Sequence, residues 1–274
     1  MHRTNPGAAL DAAIADPDLL LRARGLRVAG ECGRKDLLPA CVKALADEDA
    51  VCRFWTACSA IMLGERNKAA DLLGSLALEA GPARARALRL VLKLRGASQA
   101  NTLLKALAQE LATIRLLIQS VGIAGDPHYA PWLIKQMEDV KLTRLAGESF
   151  SFITGLDLAY LDLERKPPEN FESGPNDDPN DPSVEMDDDE SLPWPDPTKI
   201  AAWWHANNSR FQEGRRYFMG EPPSRAHCIS VLKEGYQRQR IAAALYLTLL
   251  SPGEKLFPTA APAWRQKRWL DKLM

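Results

Sequence analysis

The residue types that most often carry catalysis or bind metals are scattered along this sequence rather than grouped in a known motif. The four histidines (His2, His128, His205 and His227) do not form a His-Glu-x-x-His pattern, which excludes a zincin on motif grounds. His227 and Cys228 are neighbours, but adjacent side chains on a helix point about 100° apart and do not meet as a base and its nucleophile. We therefore predict no catalytic residue, no metal-binding residue among the histidines and no cofactor.

Thiols, glycine-rich loops and isolated carboxylates give no stronger signal. The five cysteines match no zinc or redox spacing and lie in apolar stretches, so we predict buried free thiols in a reducing compartment; they are Cys32, Cys41, Cys52, Cys58 and Cys228. The sequence has no Gly-x-x-x-x-Gly-Lys loop, and Gly147-Glu148-Ser149 lacks the flanking glycines of a nucleophile elbow. Asp126 and Glu148 lie near expected turns, where helix capping is the predicted role.

One stretch, residues 167–198, carries 11 acidic residues and no basic one, and we call it the acidic segment. Because proline breaks helices and sheets and the charges repel, we predict a long loop here. It could be a solvated loop over the C-terminal cap, pinned by Phe171 and Trp194, or an element that binds a basic partner through Asp187, Asp188 and Asp189. A third hypothesis is a calcium or magnesium site, without EF-hand spacing; its ligands would be Asp177, Asp178, Asp181, Asp187 and Asp189.

Charge is partitioned along a chain whose formal net charge is zero, with 35 basic and 35 acidic residues. Residues 199–274 contain 13 basic and 5 acidic residues, so the acidic segment is a natural neutraliser of this end. The tail from Trp264 to Trp269 mixes cations with aromatic residues, which suits either phosphate contact with base stacking or an amphipathic capping helix with Trp264, Trp269 and Leu270 inward. The pI near 6.9 argues against a dedicated nucleic-acid binder.

The elements that position these residues are indicated by a ladder of arginines. Arg22, Arg53, Arg84 and Arg115 are each 31 residues apart, and Arg144 follows after 29. Each opens an apolar stretch, and four of the five stretches reach a glycine about 11 residues later, as a helix that ends in a left-handed turn would; these are Gly33, Gly64, Gly96 and Gly125. A second apolar helix is predicted after each turn, over Asp36–Leu45, Lys68–Leu78, Ala97–Leu107 and His128–Met137.

The repeating unit is therefore a helix, a glycine turn, a second helix and often an acidic corner before the next arginine, which can bond to a neighbouring corner. Because one such pair cannot bury its apolar faces alone, stacked pairs are expected, and the predicted fold is all-α, an α-solenoid. We expect helical repeats over residues 1–155, the acidic loop or insertion over 156–198, and helices over 199–274 that continue and cap the solenoid. In the last region, Asp196-Pro197 and Ser224 are predicted to start helices.

The corner and helix formed by Asp49, Arg53, Ala57, Ala60 and Gly64 resemble the short HEAT-like repeats first noted in phycobilin lyases. A narrower resemblance, to a family of uncharacterised bacterial HEAT-like-repeat proteins often encoded near type VI secretion components, covers about residue 15 to the C-terminus. Its motifs are Gly125-Asp126-Pro127, Pro131-Trp132-Leu133-Ile134, Ala146-Gly147-Glu148-Ser149-Phe150 with Ile153-Thr154-Gly155, Leu192-Pro193-Trp194-Pro195-Asp196 and Ala263-Trp264-Arg265-Gln266. The resemblance implies a HEAT-like fold, a type VI secretion context and an N-terminus shortened relative to the family.

The function predicted from these features is a non-enzymatic protein–protein interaction scaffold. The resemblance implies an adaptor, loading or immunity factor of type VI secretion, with a secretion effector or component as its protein partner. The alternatives are an enzyme of lyase or DNA-base-processing type, with Asp126, Glu148 and an aromatic residue in a cleft, or a nucleic-acid binding module. Candidate partner contacts are Trp55, Trp132, Trp203 and Trp204. The apolar runs are too short for a membrane span and no signal peptide is recognisable, so the cytoplasm is the expected location.

Overall fold

The computed structural model describes residues 5–169, 171, 174, 180 and 186–273, and its regular structure is helical. Fourteen α-helices lie in these residues. They are α1 (Ala8–Ala13), α2 (Leu19–Glu31), α3 (Leu38–Lys43), α4 (Ala50–Leu63), α5 (Lys68–Leu78), α6 (Arg84–Leu94), α7 (Ala97–Leu107), α8 (Ile114–Ala124), α9 (Ala130–Gln136), α10 (Thr143–Thr154), α11 (Pro197–Asn207), α12 (Arg225–Glu234), α13 (Gln237–Leu250) and α14 (Ala263–Leu270). The prediction of an all-α protein is confirmed at this level.

Side-chain caps of the expected kind start α4, α11 and α12, and two of these caps, Asp196 and Ser224, are those that the sequence predicts. Asp49 accepts a hydrogen bond from the backbone N–H of Cys52 and so starts α4, and Asp196 and Ser224 cap α11 and α12 in the same way. The predicted second helices Lys68–Leu78 and Ala97–Leu107 are α5 and α7. Over Asp36–Leu45 and His128–Met137 the structure instead divides the helix into a short 3-10 turn and a shorter α-helix.

Three of the four glycine turns are confirmed, and one is wrong. Gly33, Gly64 and Gly125 have positive φ after α2, α4 and α8. Gly96 does not, because α6 already ends at Leu94 and its C-cap, Arg95, is extended. The fifth stretch, for which no glycine turn is predicted, does have one. Gly155 ends α10 in a left-handed conformation with a φ of +75°.

Contacts between Cα atoms divide the chain into two compact units. The first contains Met1–Ala106 and Pro223–Met274, and the second contains Leu107–Pro222. In the first unit α2 packs on α4, α5 on α6 and α12 on α13, while α13 also contacts α4 and α6; Leu26, Ile61 and Leu88 are fully buried. In the second unit α10 packs on α8 and α9, around Ile118 and Phe150. The three consecutive segments expected from the sequence stay a prediction.

The connection between α10 and α11 is closed at its ends by backbone hydrogen bonds. Arg165 donates to the carbonyl of Trp194 and Asp196 donates to that of Leu163, each over 2.8 Å, beside an isolated bridge between Glu164 and Pro195. The described residues between these ends form turns, bends and irregular chain rather than helix.

Candidate functional site

The repeat arginines of the first unit hold the corners between helix pairs. The guanidinium of Arg22 donates through Nε and Nη2 to the two carboxylate oxygens of Asp47, over 2.9 and 3.1 Å, and through Nη1 to the carbonyl of Asp16. Arg53 donates to the carbonyls of Asp47 and Glu48, each over 2.7 Å. Two consecutive arginines of the ladder therefore bind Asp47: Arg22 binds its carboxylate, and Arg53 binds its carbonyl.

The Asp47 carboxylate also shapes its own corner. Its Oδ1 accepts the backbone N–H of Asp49 over 2.9 Å, which fixes the turn that leads into α4. The hydrogen bond from Arg22 holds the pKa of Asp47 below its usual range despite the opposing effect of burial. Arg84 is buried and donates to the carbonyl of Ala77, which lies in the last turn of α5, so the third arginine binds the end of the preceding helix rather than a corner.

In the second unit the arginines bind the acidic segment. Arg115 on α8 donates through Nη2 to both carboxylate oxygens of Asp189, over 2.8 and 2.9 Å, and through Nη1 to the carbonyl of Lys141. Arg144 on α10 donates to the carbonyl of Asp189 over 2.9 Å and forms an ion pair with Asp187. The side chains of Asp189 and Arg144 are only 5% and 6% exposed.

We call the cluster of Arg115, Arg144 and Trp194 the arginine socket. The ring of Phe171 and the turn at Asp187–Asp189 lie against it. The guanidinium carbon of Arg144 lies 4.7 Å from the ring centre of Trp194 and 5.2 Å from that of Phe171. Asp187 Oδ1 accepts the N–H of Asp189 over 2.9 Å. Burial raises the pKa of Asp187, but its hydrogen bonds from Arg144 and Asp189 outweigh this, and the net pKa is lowered.

These contacts decide part of the prediction for the acidic segment. Phe171 and Trp194 do pack edge to face, with ring centres 4.7 Å apart. Asp187 and Asp189 bind arginines of α8 and α10, so the cations that these two aspartates neutralise are not those of residues 199–274, and the draping of the loop over the C-terminal cap stays a prediction. For the cation hypothesis, Asp177, Asp178 and Asp181 lie outside the described residues. Within the described part of the chain no group of three or more potential ligands is arranged to hold a metal ion.

The tryptophans predicted as partner contacts are half-buried in side-chain clusters. Trp55 lies under the guanidinium of Arg27, 4.5 Å from the ring centre, with that of Arg86 at 6.0 Å. Trp203 and Trp204 meet Phe150 edge to face, at 6.3 and 5.9 Å.

Trp132 is half-buried on α9. At the C-terminus, the prediction that Trp264 points inward is wrong: it is 61% exposed and stacks with Arg268, while Gln266 is the buried residue of α14.

The residues considered for catalysis have structural surroundings that do not form a catalytic group. Asp126 Oδ1 accepts the N–H groups of His128 and Gly214, each over 3.0 Å, which agrees with a capping role. Glu148 lies in the middle of α10, so it is not a cap. Burial raises the pKa of the Cys228 thiol to about 12, which leaves it protonated beside His227 at neutral pH.

A cleft of about 430 Å³ lies in the first unit beside α13 and α14. Its lining includes Arg225, which pairs with Glu254 over 2.8 Å, together with Phe257 and Trp269. The rings of Phe257 and Trp269 are perpendicular, with centres 6.4 Å apart. The only carboxylate among the lining residues is thus paired with an arginine at the cleft.

An exposed apolar surface lies at the starts of α2 and α4, and we call it the apolar edge: Leu19, Leu20, Leu21 and Val51. These side chains are 49%, 68%, 45% and 52% exposed. The two helix starts are adjacent, since Cys52 Sγ lies 3.6 Å from the carbonyl of Leu19. Sequence reasoning missed this surface, although Leu20 and Val51 each stand two residues before a ladder arginine and 31 residues apart.

Compared with family models, curated proteins and solved structures, the chain has no match. Every helix in the described residues is too short or too polar to cross a membrane.

Proposed function

We propose that the protein is a non-enzymatic protein–protein interaction scaffold, a HEAT-like α-solenoid interrupted by an acidic loop. The proposal includes a cytoplasmic role as an adaptor, loading or immunity factor of type VI secretion, with a secretion effector or component as partner. The contacts that Arg22 and Arg53 make with the same corner residue, Asp47, support the repeat architecture. The secretion context rests on the sequence resemblance.

The observation that carries the binding function is the apolar edge. Exposed apolar side chains at neighbouring helix starts are typical of interaction sites, because they gain free energy when a partner removes them from water. Fully burying one leucine or valine side chain contributes about 1.5–3 kcal/mol. Leu20 and Val51 occupy the same position in two successive repeats, so a partner can contact consecutive units in the same way, as ligands of repeat proteins do.

Charge around this surface defines the partner's chemistry. The corners beside the apolar edge contain two exposed acidic residues, Asp18 and Glu48. A partner surface with apolar side chains flanked by lysine or arginine matches this arrangement, because complementary charge speeds encounter and disfavours acidic competitors.

The corner carboxylates and the buried thiols are not poised for catalysis. A general acid at neutral pH needs a carboxyl group with a raised pKa. Arginine or backbone hydrogen bonds lower the pKa of Asp36, Asp47 and Asp49. Burial raises the pKa of Cys41 and Cys58, to about 11 and about 12, which opposes formation of a nucleophilic thiolate.

The test is quantitative affinity capture from the native host with the wild-type chain and the double variant L20E/V51E. Both positions are the second residue of a helix, where a carboxylate is favourable to the helix dipole, so the variant is expected to fold. We expect a specific partner, enriched by the wild type, to fall at least tenfold with the variant.

The control is Tyr160→Glu, which places one glutamate on a residue that is 85% exposed in the second unit. This variant should capture the partner as the wild type does. Equal capture by the wild type and L20E/V51E, or no specific capture by the wild type, would overturn the proposal.

A further inference from the structure

The acidic segment reproduces, at the arginine socket, a contact that the first unit makes with its own corner. Arg22 binds the carboxylate of Asp47 and Arg53 binds its carbonyl. In the second unit Arg115 binds the carboxylate of Asp189 and Arg144 binds its carbonyl. Both aspartates belong to an Asp-x-Asp turn in which the first carboxylate accepts the N–H of the third residue, with Asp47 as the first residue of its turn and Asp189 as the third residue of its turn.

The local corner does not supply this carboxylate in the second unit. Between α9 and α10, Arg115 contacts only the backbone carbonyl of Lys141. Asp139 is engaged in shaping the corner, since its carboxylate accepts the N–H of Lys141 and its carbonyl accepts that of Thr143. The carboxylate that Arg115 binds therefore comes from Asp189, 74 residues further along the chain.

We propose that the arginine socket is a binding site for Asp-x-Asp segments, which Asp187–Asp189 occupies in the free protein and which an Asp-x-Asp segment of a partner protein binds by replacing them. This goes beyond the apolar edge and does not depend on it.

The bound segment is held by charge and backbone contacts rather than by buried apolar side chains. Met186 is 60% exposed, and Asp188 and Glu190 are exposed as well. The side chain of Arg115 is 41% exposed, so an incoming carboxylate can reach the guanidinium from solvent. A segment anchored in this way can leave without opening the core.

The socket also selects the chemistry of the replacement. Arg144 is 6% exposed, and a buried charge left without a partner is strongly unfavourable. Trp194 has an anchor outside residues 187–189, because its carbonyl accepts the N–H of Arg165. The site therefore persists when the segment leaves, and it favours a second pair of aspartates over an empty state.

The test uses the full-length double variant D187N/D189N and a fluorescent peptide with the sequence of residues 184–192. Fluorescence anisotropy should report saturable binding to the variant. The wild type should bind at least tenfold more weakly, because its own segment competes at a high effective concentration. The variant D188N keeps Asp187 and Asp189, which bind the socket, and should behave as the wild type. A peptide with asparagine in place of Asp187 and Asp189 should not bind.

Circular dichroism establishes that each variant is folded before binding is measured. If the folded double variant leaves the anisotropy of the peptide unchanged, or binds the asparagine peptide equally well, the proposal is wrong. Should the double variant unfold, Asp189→Asn, which removes the carboxylate that Arg115 binds and keeps the Asp187 ion pair with Arg144, decides by the same two criteria.

Discussion

At the scale of single residues, aspartate and arginine stabilise the corners, where backbone groups would otherwise lack partners. A corner aspartate accepts a backbone N–H two residues later, as Asp16, Asp47 and Asp139 do. The arginine then binds corner carbonyls or carboxylates. The sequence could predict that the ladder arginines bond to neighbouring corners, because spacing and residue type suffice for contacts of this kind.

The ion pair of Asp47 predicts a pH dependence of stability. The pKa of Asp47 is lowered in the folded state, chiefly by Arg22, so its contribution is fully present above the unfolded pKa of about 4 and is lost as pH falls through the folded pKa. We expect Asp47→Asn to have a lower urea midpoint than the wild type by the same amount at pH 7 and pH 5. The difference should shrink at pH 3.

Glu48→Gln is the control, since it removes an exposed carboxylate from the same corner while leaving the carbonyl that Arg53 contacts. Its midpoint should follow that of the wild type at each pH. A difference between wild type and Asp47→Asn that stays constant down to pH 3 would contradict the assigned role of this ion pair.

At the scale of elements, close helix contact depends on small residues at equivalent places in both units. Gly30 on α2 faces Ser59 on α4, whose hydroxyl donates to the carbonyl of Leu26 over 2.6 Å. Gly122 on α8 faces Ser149 on α10 in the same way. The two glycine–serine contacts join the first helices of consecutive pairs, which explains the absence of a larger side chain at either glycine.

Gly30→Ala and Gly74→Ala form a matched pair of substitutions in helix interiors. A methyl group on Gly30 would lie 2.5 Å from Oγ and 2.6 Å from Cα of Ser59, so backbone must move, and we expect a loss of about 1–3 kcal/mol in the free energy of unfolding. Nothing lies within 4 Å of the corresponding position at Gly74, where alanine should add about 0.5–1 kcal/mol. Urea denaturation measures both, and equal shifts would contradict the close packing of α2 on α4.

Helices were more predictable than their exact turns. Local signals such as Asp49, Asp196 and Ser224 identify helix starts, because a cap acts within three residues of itself. Gly96 misled the prediction because a glycine near a helix end need not adopt a left-handed conformation, and Gly155 was missed although it does. The sequence shows where glycine is present, whereas the backbone angle depends on how the chain must continue.

At the scale of the whole molecule, the zero net charge hides contacts between distant parts of the sequence. The partition into an acidic segment and a basic remainder was visible from the sequence, but its pairing was not. Asp189 meets Arg115 across 74 residues, and nothing in the local pattern distinguishes this arginine from those at the C-terminus. The same reason explains why the packing of α13 on α4 and α6 was not foreseen.

The apolar edge is the surface to which we expect the protein partner to bind. Hydrogen–deuterium exchange of the chain, alone and with its captured partner, measures this directly. The predicted result is slower exchange at the first turns of α2 and α4, around Leu20 and Val51, and no such change when the partner is added to L20E/V51E. Protection that spares both helix starts, or that is the same in the wild type and in L20E/V51E, would contradict the account.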